Sequence, residues 1–161
     1  MSTIWTKAKE MELEAVSYYR KLAGEAIAIE IAGAFTMIAT EESRHAEMFA
    51  KLEADSHIGQ FTAVSWDPKA LFENLAKTTA LSSQLLKAKD VYKKVIALEL
   101  ENANYYENLL SNLREDSDRK AVEFIIKEEK KHAKIFENLL QFIEQPETWV
   151  ENAEFGVMGD F

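Results

Sequence analysis

Apolar residues recur in steps of three and four at four places along the chain, the spacing of helices that each bury one face. The first segment runs from about Thr3 to Ala28, with Ile4, Ala8, Met11, Ala15, Tyr18, Tyr19 and Leu22 on one side. The second, about Ala32 to Ala54, carries Phe35, Ile38, Glu42, His45, Phe49 and Leu52 in one stripe. The third, about Gln84 to Leu113, carries Val91, Val95, Leu98, Asn102, Tyr105, Leu109 and Leu113. The fourth, about Ser117 to Glu144, carries Val122, Ile125, Glu129, His132, Phe136, Leu139 and Ile143, with Ser117 and Asp118 offering N-cap chemistry at its start. At about 1.5 Å per residue, helices of this length reach roughly 35–40 Å.

The links between these segments set the topology. The first and third links are short, so each pair of helices is an antiparallel hairpin. The middle link, Asp55–Ser83, is long and makes the second and third helices parallel. Within it, Asp67-Pro68 starts a short helix near Lys69–Ala76, and Phe61, Trp66 and Phe72 are expected to anchor the crossover by packing. The expected fold is all-α, a four-helix bundle over residues 1–145, with a tail at 146–161. The tail's Trp149, Phe155, Met158 and Phe161 pack on the bundle or on a partner.

The two hairpins repeat one another. A shift of 87 residues places Glu12-Leu13-Glu14 on Glu99-Leu100-Glu101 and Tyr18-Tyr19-x-x-Leu22 on Tyr105-Tyr106-x-x-Leu109. The same shift places Glu41-Glu42-x-x-His45-Ala46-x-x-Phe49 on Glu128-Glu129-x-x-His132-Ala133-x-x-Phe136, without a gap. Common descent of two helical hairpins accounts for one register serving both.

Composition narrows the class. The 161 residues are 47% hydrophobic and 29% charged, which suits a globular chain rather than a disordered one. The absence of cysteine excludes disulfides, a catalytic thiol and Cys-ligated zinc or iron–sulfur centres. A net charge of −9 argues against nucleic acid as a partner, because phosphate binding needs clustered Lys and Arg. No segment has the length and apolarity of a membrane span, and the N-terminus has no apolar signal region, so a cytoplasmic location is expected.

The polar residues inside the apolar stripes carry the chemistry. Glu42 with His45, and Glu129 with His132, are i,i+3 pairs on one helix face, and each pair suits one ion. The first and third helices offer Glu12 with Glu99, or Glu14 with Glu101. Glu12 and Glu99 have the more apolar helical neighbours, including Tyr19 and Tyr106 two turns on, and are the expected ligands. Four buried carboxylates without Lys or Arg in their stripes are costly, and like charges worsen the cost. Two divalent cations balance them and move the formal charge from −9 to −5. Glu42 and Glu129 are the candidate bridging ligands, with Glu12 and Glu99 terminal, although these roles can exchange. Iron or manganese suits this donor set, and zinc can substitute. Glu41, Glu128 and His57 are expected at the surface, Met37 and Met48 in packing, and Tyr18 and Tyr105 likewise.

Glu from two helices plus Glu-x-x-His from two others is the ligand pattern of ferritin-like di-iron carboxylate proteins. With the Glu-x6-Tyr spacing of Glu12 to Tyr19 and Glu99 to Tyr106, the chain resembles rubrerythrins over about Thr3–Glu144. The resemblance implies metal ligands Glu12, Glu42, His45, Glu99, Glu129 and His132, two iron ions, and Tyr19 and Tyr106 hydrogen-bonded to the ligating carboxylates. It further implies an oxidoreductase of oxidative stress, a peroxidase that reduces hydrogen peroxide or dioxygen, in a homodimer or small homo-oligomer.

Two features depart from the rubrerythrin pattern. This sequence has no cysteine for a rubredoxin-type site, so electrons are expected from an external donor protein. Asn102 stands where rubrerythrins carry an additional carboxylate, one turn after the third-helix ligand. The alternatives are a ferritin- or bacterioferritin-like ferroxidase that stores iron, a non-catalytic helical module with a structural metal site, and a di-iron oxygenase acting on an organic substrate.

Overall fold

The computed structural model describes residues 3–26, 28–54 and 88–144. Four long helices account for nearly all of them: α1 (Ile4–Glu25), α2 (Ile29–Glu53), α3 (Lys89–Leu110) and α4 (Asp116–Glu144). Among the described residues there is no strand, and the architecture is the expected all-α ferritin-like four-helix bundle. No described helix is long and apolar enough to cross a membrane. The crossover residues Phe61, Trp66, Asp67, Pro68 and Phe72, the third histidine His57 and the tail from Pro146 lie outside the described residues.

Helix ends follow local chemistry. Thr3 caps α1: its hydroxyl accepts the Thr6 amide at 3.1 Å while the Thr6 hydroxyl reaches back to the Thr3 amide. The first helix thus begins where expected but ends at Glu25, three residues early, and α2 starts at Ile29 rather than Ala32. Helix α3 is described from Lys89 and ends at Leu110, not Leu113. Helix α4 already includes Asp116, so Ser117 and Asp118 lie inside its first turn and are not its N-cap. There Asp116 and Asp118 favour the positive end of the helix dipole.

The chain divides into two compact units. One contains α1, α2 and residues 113–125; the other contains α3 and the remainder of α4, from residue 126. In the first unit, α1 and α2 are antiparallel and share a seven-residue pitch. Trp5 stacks on Phe49 with ring centroids 6.0 Å apart, and Tyr19 stacks on Phe35 at the same distance. Glu12 and Glu42 meet midway between these aromatic layers. At the open end, the hydroxyl of Thr6 donates to Glu53, and Lys9 pairs with it.

The second unit repeats this register. Tyr92, 87 residues after Trp5, packs on Phe136, the counterpart of Phe49, at 5.9 Å. Lys89 pairs with Glu144 at 3.0 Å and Lys130 with Glu107 at 2.6 Å, which fixes α3 antiparallel to α4 there.

Burial corrects the expected stripes in detail. In α1 the buried set is Ala8, Glu12, Ala15, Val16, Tyr19 and Leu22; Ile4 is exposed, and Met11 and Tyr18 are half-buried. In α3 the buried face is Tyr92, Val95, Glu99, Ala103, Tyr106 and Leu109. Val91, Leu98, Asn102 and Tyr105 flank it, half-buried. The face turns by about one residue because the register of the repeat holds Glu99 and Tyr106 inward as it holds Glu12 and Tyr19. Leu52 is also half-buried, as are Met37 and Met48.

Candidate metal centre

The seven-residue pitch places one carboxylate of α1 opposite the Glu-x-x-His turn of α2. Glu12 is 1% exposed, and Glu42 and His45 are fully buried. One ligand atom from each of the three lies within 4.8 Å of the others. The His45 Nδ1 is 3.6 Å from Oε2 of Glu12 and 3.8 Å from Oε2 of Glu42. In the second unit Glu99, Glu129 and His132 form the same cluster, all buried, again with ligand atoms within 4.8 Å. There the His132 Nδ1 is 3.5 Å from Oε2 of Glu99.

These separations identify the chemistry. They are too long for hydrogen bonds. They do suit two ligands of a single ion, since atoms each about 2.0–2.2 Å from a metal lie no more than roughly 4.4 Å apart. Two carboxylates and an imidazole, all withdrawn from water, are donors fitted to a hard or borderline divalent cation. Of the two glutamate pairs that the repeat offers, Glu12 and Glu99 are buried while Glu14 and Glu101 are exposed. In both histidines Nδ1 is the atom turned to the carboxylates, a choice the spacing alone does not reveal.

Without a cation the carboxyl of Glu12 favours its protonated form. Burial first, then the negative charge of neighbouring Glu42, hold Glu12 well above the usual carboxylate range; His45 opposes them in part. A carboxyl raised in the fold contributes stability that is complete below its unfolded pKa, about 4.3. That stability is lost as pH climbs through the folded value. In chelator, Glu12→Gln is therefore expected to gain thermal stability relative to the parent protein as pH rises from 4 to 8. Parallel melting curves across that range would refute the shift.

Tyr19 and Tyr106 are fully buried on the faces of Glu12 and Glu99. Each is packed by the tyrosine before it, Tyr18 at 5.5 Å and Tyr105 at 5.6 Å. Tyr92 packs on Phe136, and burial pushes its phenol up to about 12.

The expectation that Glu41 and Glu128 lie at the surface is wrong. Glu41 is fully buried and Glu128 is 6% exposed. Helical neighbours carried the missed signal: Glu41 is in line with Ala34, Ile38 and His45, and Glu128 with Ala121, Ile125 and His132. The buried faces of α2 and α4 are wider than a single stripe and take in the residue before each ligand glutamate.

No curated protein and no solved structure matches the chain. The family model described as rubrerythrin matches residues 4–140, a span that includes both hairpins and all six clustered Glu and His residues. The chain belongs to the rubrerythrin family.

Proposed function

We propose that the protein is a di-iron oxidoreductase that reduces hydrogen peroxide or dioxygen, with electrons from an external donor protein. The observation that carries this reading is the doubled cluster of two carboxylates and one imidazole, buried at equivalent places in a rubrerythrin-family chain. Family and clusters together suggest a di-metal site. In this reading Glu12, Glu42 and His45 would hold one ion, and Glu99, Glu129 and His132 the other.

Ferrous iron, when bound, supplies one electron from each ion to the O–O bond. The residues supply the setting. Four carboxylates carry the charge that two divalent cations neutralise, and the Nδ1 atoms complete the set. Ile38 and Phe49 beside one cluster, and Ile125 and Phe136 beside the other, are buried apolar walls that exclude bulk water. Tyr19 and Tyr106 are assigned as hydroxyl donors to ligand carboxylates, which hold those carboxylates in place. Half-buried Asn102 offers an amide one turn beyond Glu99, where no further carboxylate stands.

Reduction of one peroxide to two waters takes two electrons and two protons, which matches the capacity of one ferrous pair. Anaerobic protein reconstituted with iron is expected to hold two metals per chain and to consume one peroxide per pair, followed by absorbance. Fewer than about one metal per chain would sink the di-metal reading. Peroxide consumption no faster than in a metal-free control would sink the redox reading. A dimer or small oligomer belongs to this reading, and sizing as a many-subunit cage favours iron storage instead.

A further inference from the structure

The two hairpins agree inside and differ outside. Along α4 from 127 to 134 the buried residues are Glu128, Glu129, His132 and Ala133, and the remaining positions are all lysine: Lys127, Lys130, Lys131 and Lys134. The matching stretch of α2, 40 to 47, buries Glu41, Glu42, His45 and Ala46 and carries Thr40, Ser43, Arg44 and Glu47 outside. Each inner pair is identical and no outer pair is. The outer residues sum to zero charge on α2 and to +4 on α4, in a chain of net −9.

Solubility does not require this row, since mixed signs suffice on the same face of α2. Like charges three and four residues apart also weaken a helix, as Lys127 does with Lys130 and Lys131, and Lys130 with Lys134. Lys130 pairs with Glu107 at 2.6 Å, but both side chains are exposed, and an exposed pair is worth little. At about 100° per residue, the lysines centre roughly 180° from the direction midway between Glu129 and His132. The row is therefore the outer side of the helix whose inner side carries those two residues. The way from one to the other is a single helix wide, about 10–12 Å with side chains.

We propose that Lys127, Lys130, Lys131 and Lys134 form the docking surface for the external electron donor, a small acidic one-electron carrier protein. The inference rests on the redox reading, which requires such a donor. The carrier gives up one electron per encounter and leaves oxidised, so two encounters supply the two electrons that one peroxide takes up. The rest of the chain is net negative and repels an acidic carrier, while the lysine row attracts it and sets its orientation on α4.

Flavodoxin, an acidic one-electron carrier, is the probe. Its association with the full chain, iron-loaded and in chelator, is followed by surface plasmon resonance at about 10 mM and about 150 mM salt, where charges are screened over about 30 and 8 Å. Lys127→Glu with Lys131→Glu is expected to slow association about 10- to 100-fold at low salt, and less at high salt. Lys127→Arg with Lys131→Arg is expected to keep the parental rate. Thr40→Glu with Arg44→Glu, on the matching face of α2, is expected to change it far less than the α4 reversal does. If the reversed α4 pair does not fold, Lys131→Ala carries the test, with a several-fold slowing. Absence of flavodoxin binding at low salt, or equal slowing by the α2 and α4 pairs, would overturn the inference. So would tighter binding of duplex DNA than of flavodoxin, or a salt-dependent self-association lost in the α4 variant, which assigns the row to a second copy. A reduced, iron-loaded chain that binds flavodoxin yet consumes no peroxide overturns the redox reading instead and leaves the docking surface standing.

Discussion

Glutamine in place of both Glu42 and Glu129 is expected to abolish tight binding of two divalent ions and, at the same time, to stabilise the metal-free protein. The two effects have one origin. Both side chains are fully buried, where an ionised carboxylate is tolerated only beside a compensating cation. At neutral pH the metal-free chain must either keep these groups protonated against the solution or bury their charge. Glutamine keeps the volume and removes that choice. A gain of about 1–2 kcal/mol is expected, which for a domain of this size is a rise of roughly 3–6 °C in melting temperature. Thermal unfolding in chelator, beside metal analysis after dialysis against iron, measures both. A variant that still retains two metals, or melts below the parent protein in chelator, contradicts the assignment of these residues to the site.

Metal loading of the parent chain is expected to act in the opposite direction and more strongly. An ion that binds only the folded protein stabilises it by about 2.7 kcal/mol when present at 100 times its dissociation constant. Two such ions contribute about 5 kcal/mol, or roughly 10–20 °C. Loading also releases protons, because the carboxyl of Glu12, held well above its ordinary range by burial and by Glu42, must ionise to become a ligand. The stabilisation is therefore larger at pH 8 than at pH 5. Calorimetry in buffers of different ionisation enthalpy counts the protons, and chelator restores the original melting temperature. Stabilisation that saturates at one ion per chain, or that is the same at both pH values, argues against a pair of ions held by these acids.

Much of this was legible in the sequence. Alternating steps of three and four gave four helices, and the stripe of α4 is buried from Val122 to Ile143 as its periodicity requires. Glu12 and Glu99 were separated from Glu14 and Glu101 by the character of their helical neighbours alone. Helix ends were harder to place, because the α1–α2 link is made of Ala and Ile, residues with no turn signature. The stripe of α3 was placed slightly off axis because Val91, Leu98 and Tyr105 are apolar yet lie on its flank; only the repeat register decides which face turns inward. Glu41 and Glu128 were misread for a different reason. A charged residue outside a single apolar stripe reads as solvated, whereas a helix whose buried face is wider than one stripe has room inside for a second column.

The repeat gives the chain an internal control for every substitution made in it. Identity is kept at Ile38, Glu41, Glu42, His45, Ala46 and Phe49, each with the same residue 87 positions on. It is lost at Trp5 against Tyr92, Ala15 against Asn102 and Phe35 against Val122. Exchanging residues between such paired positions tests each demand within a single molecule: kept pairs report what the buried acids and imidazoles require, and divergent pairs report what each hairpin's own surroundings require.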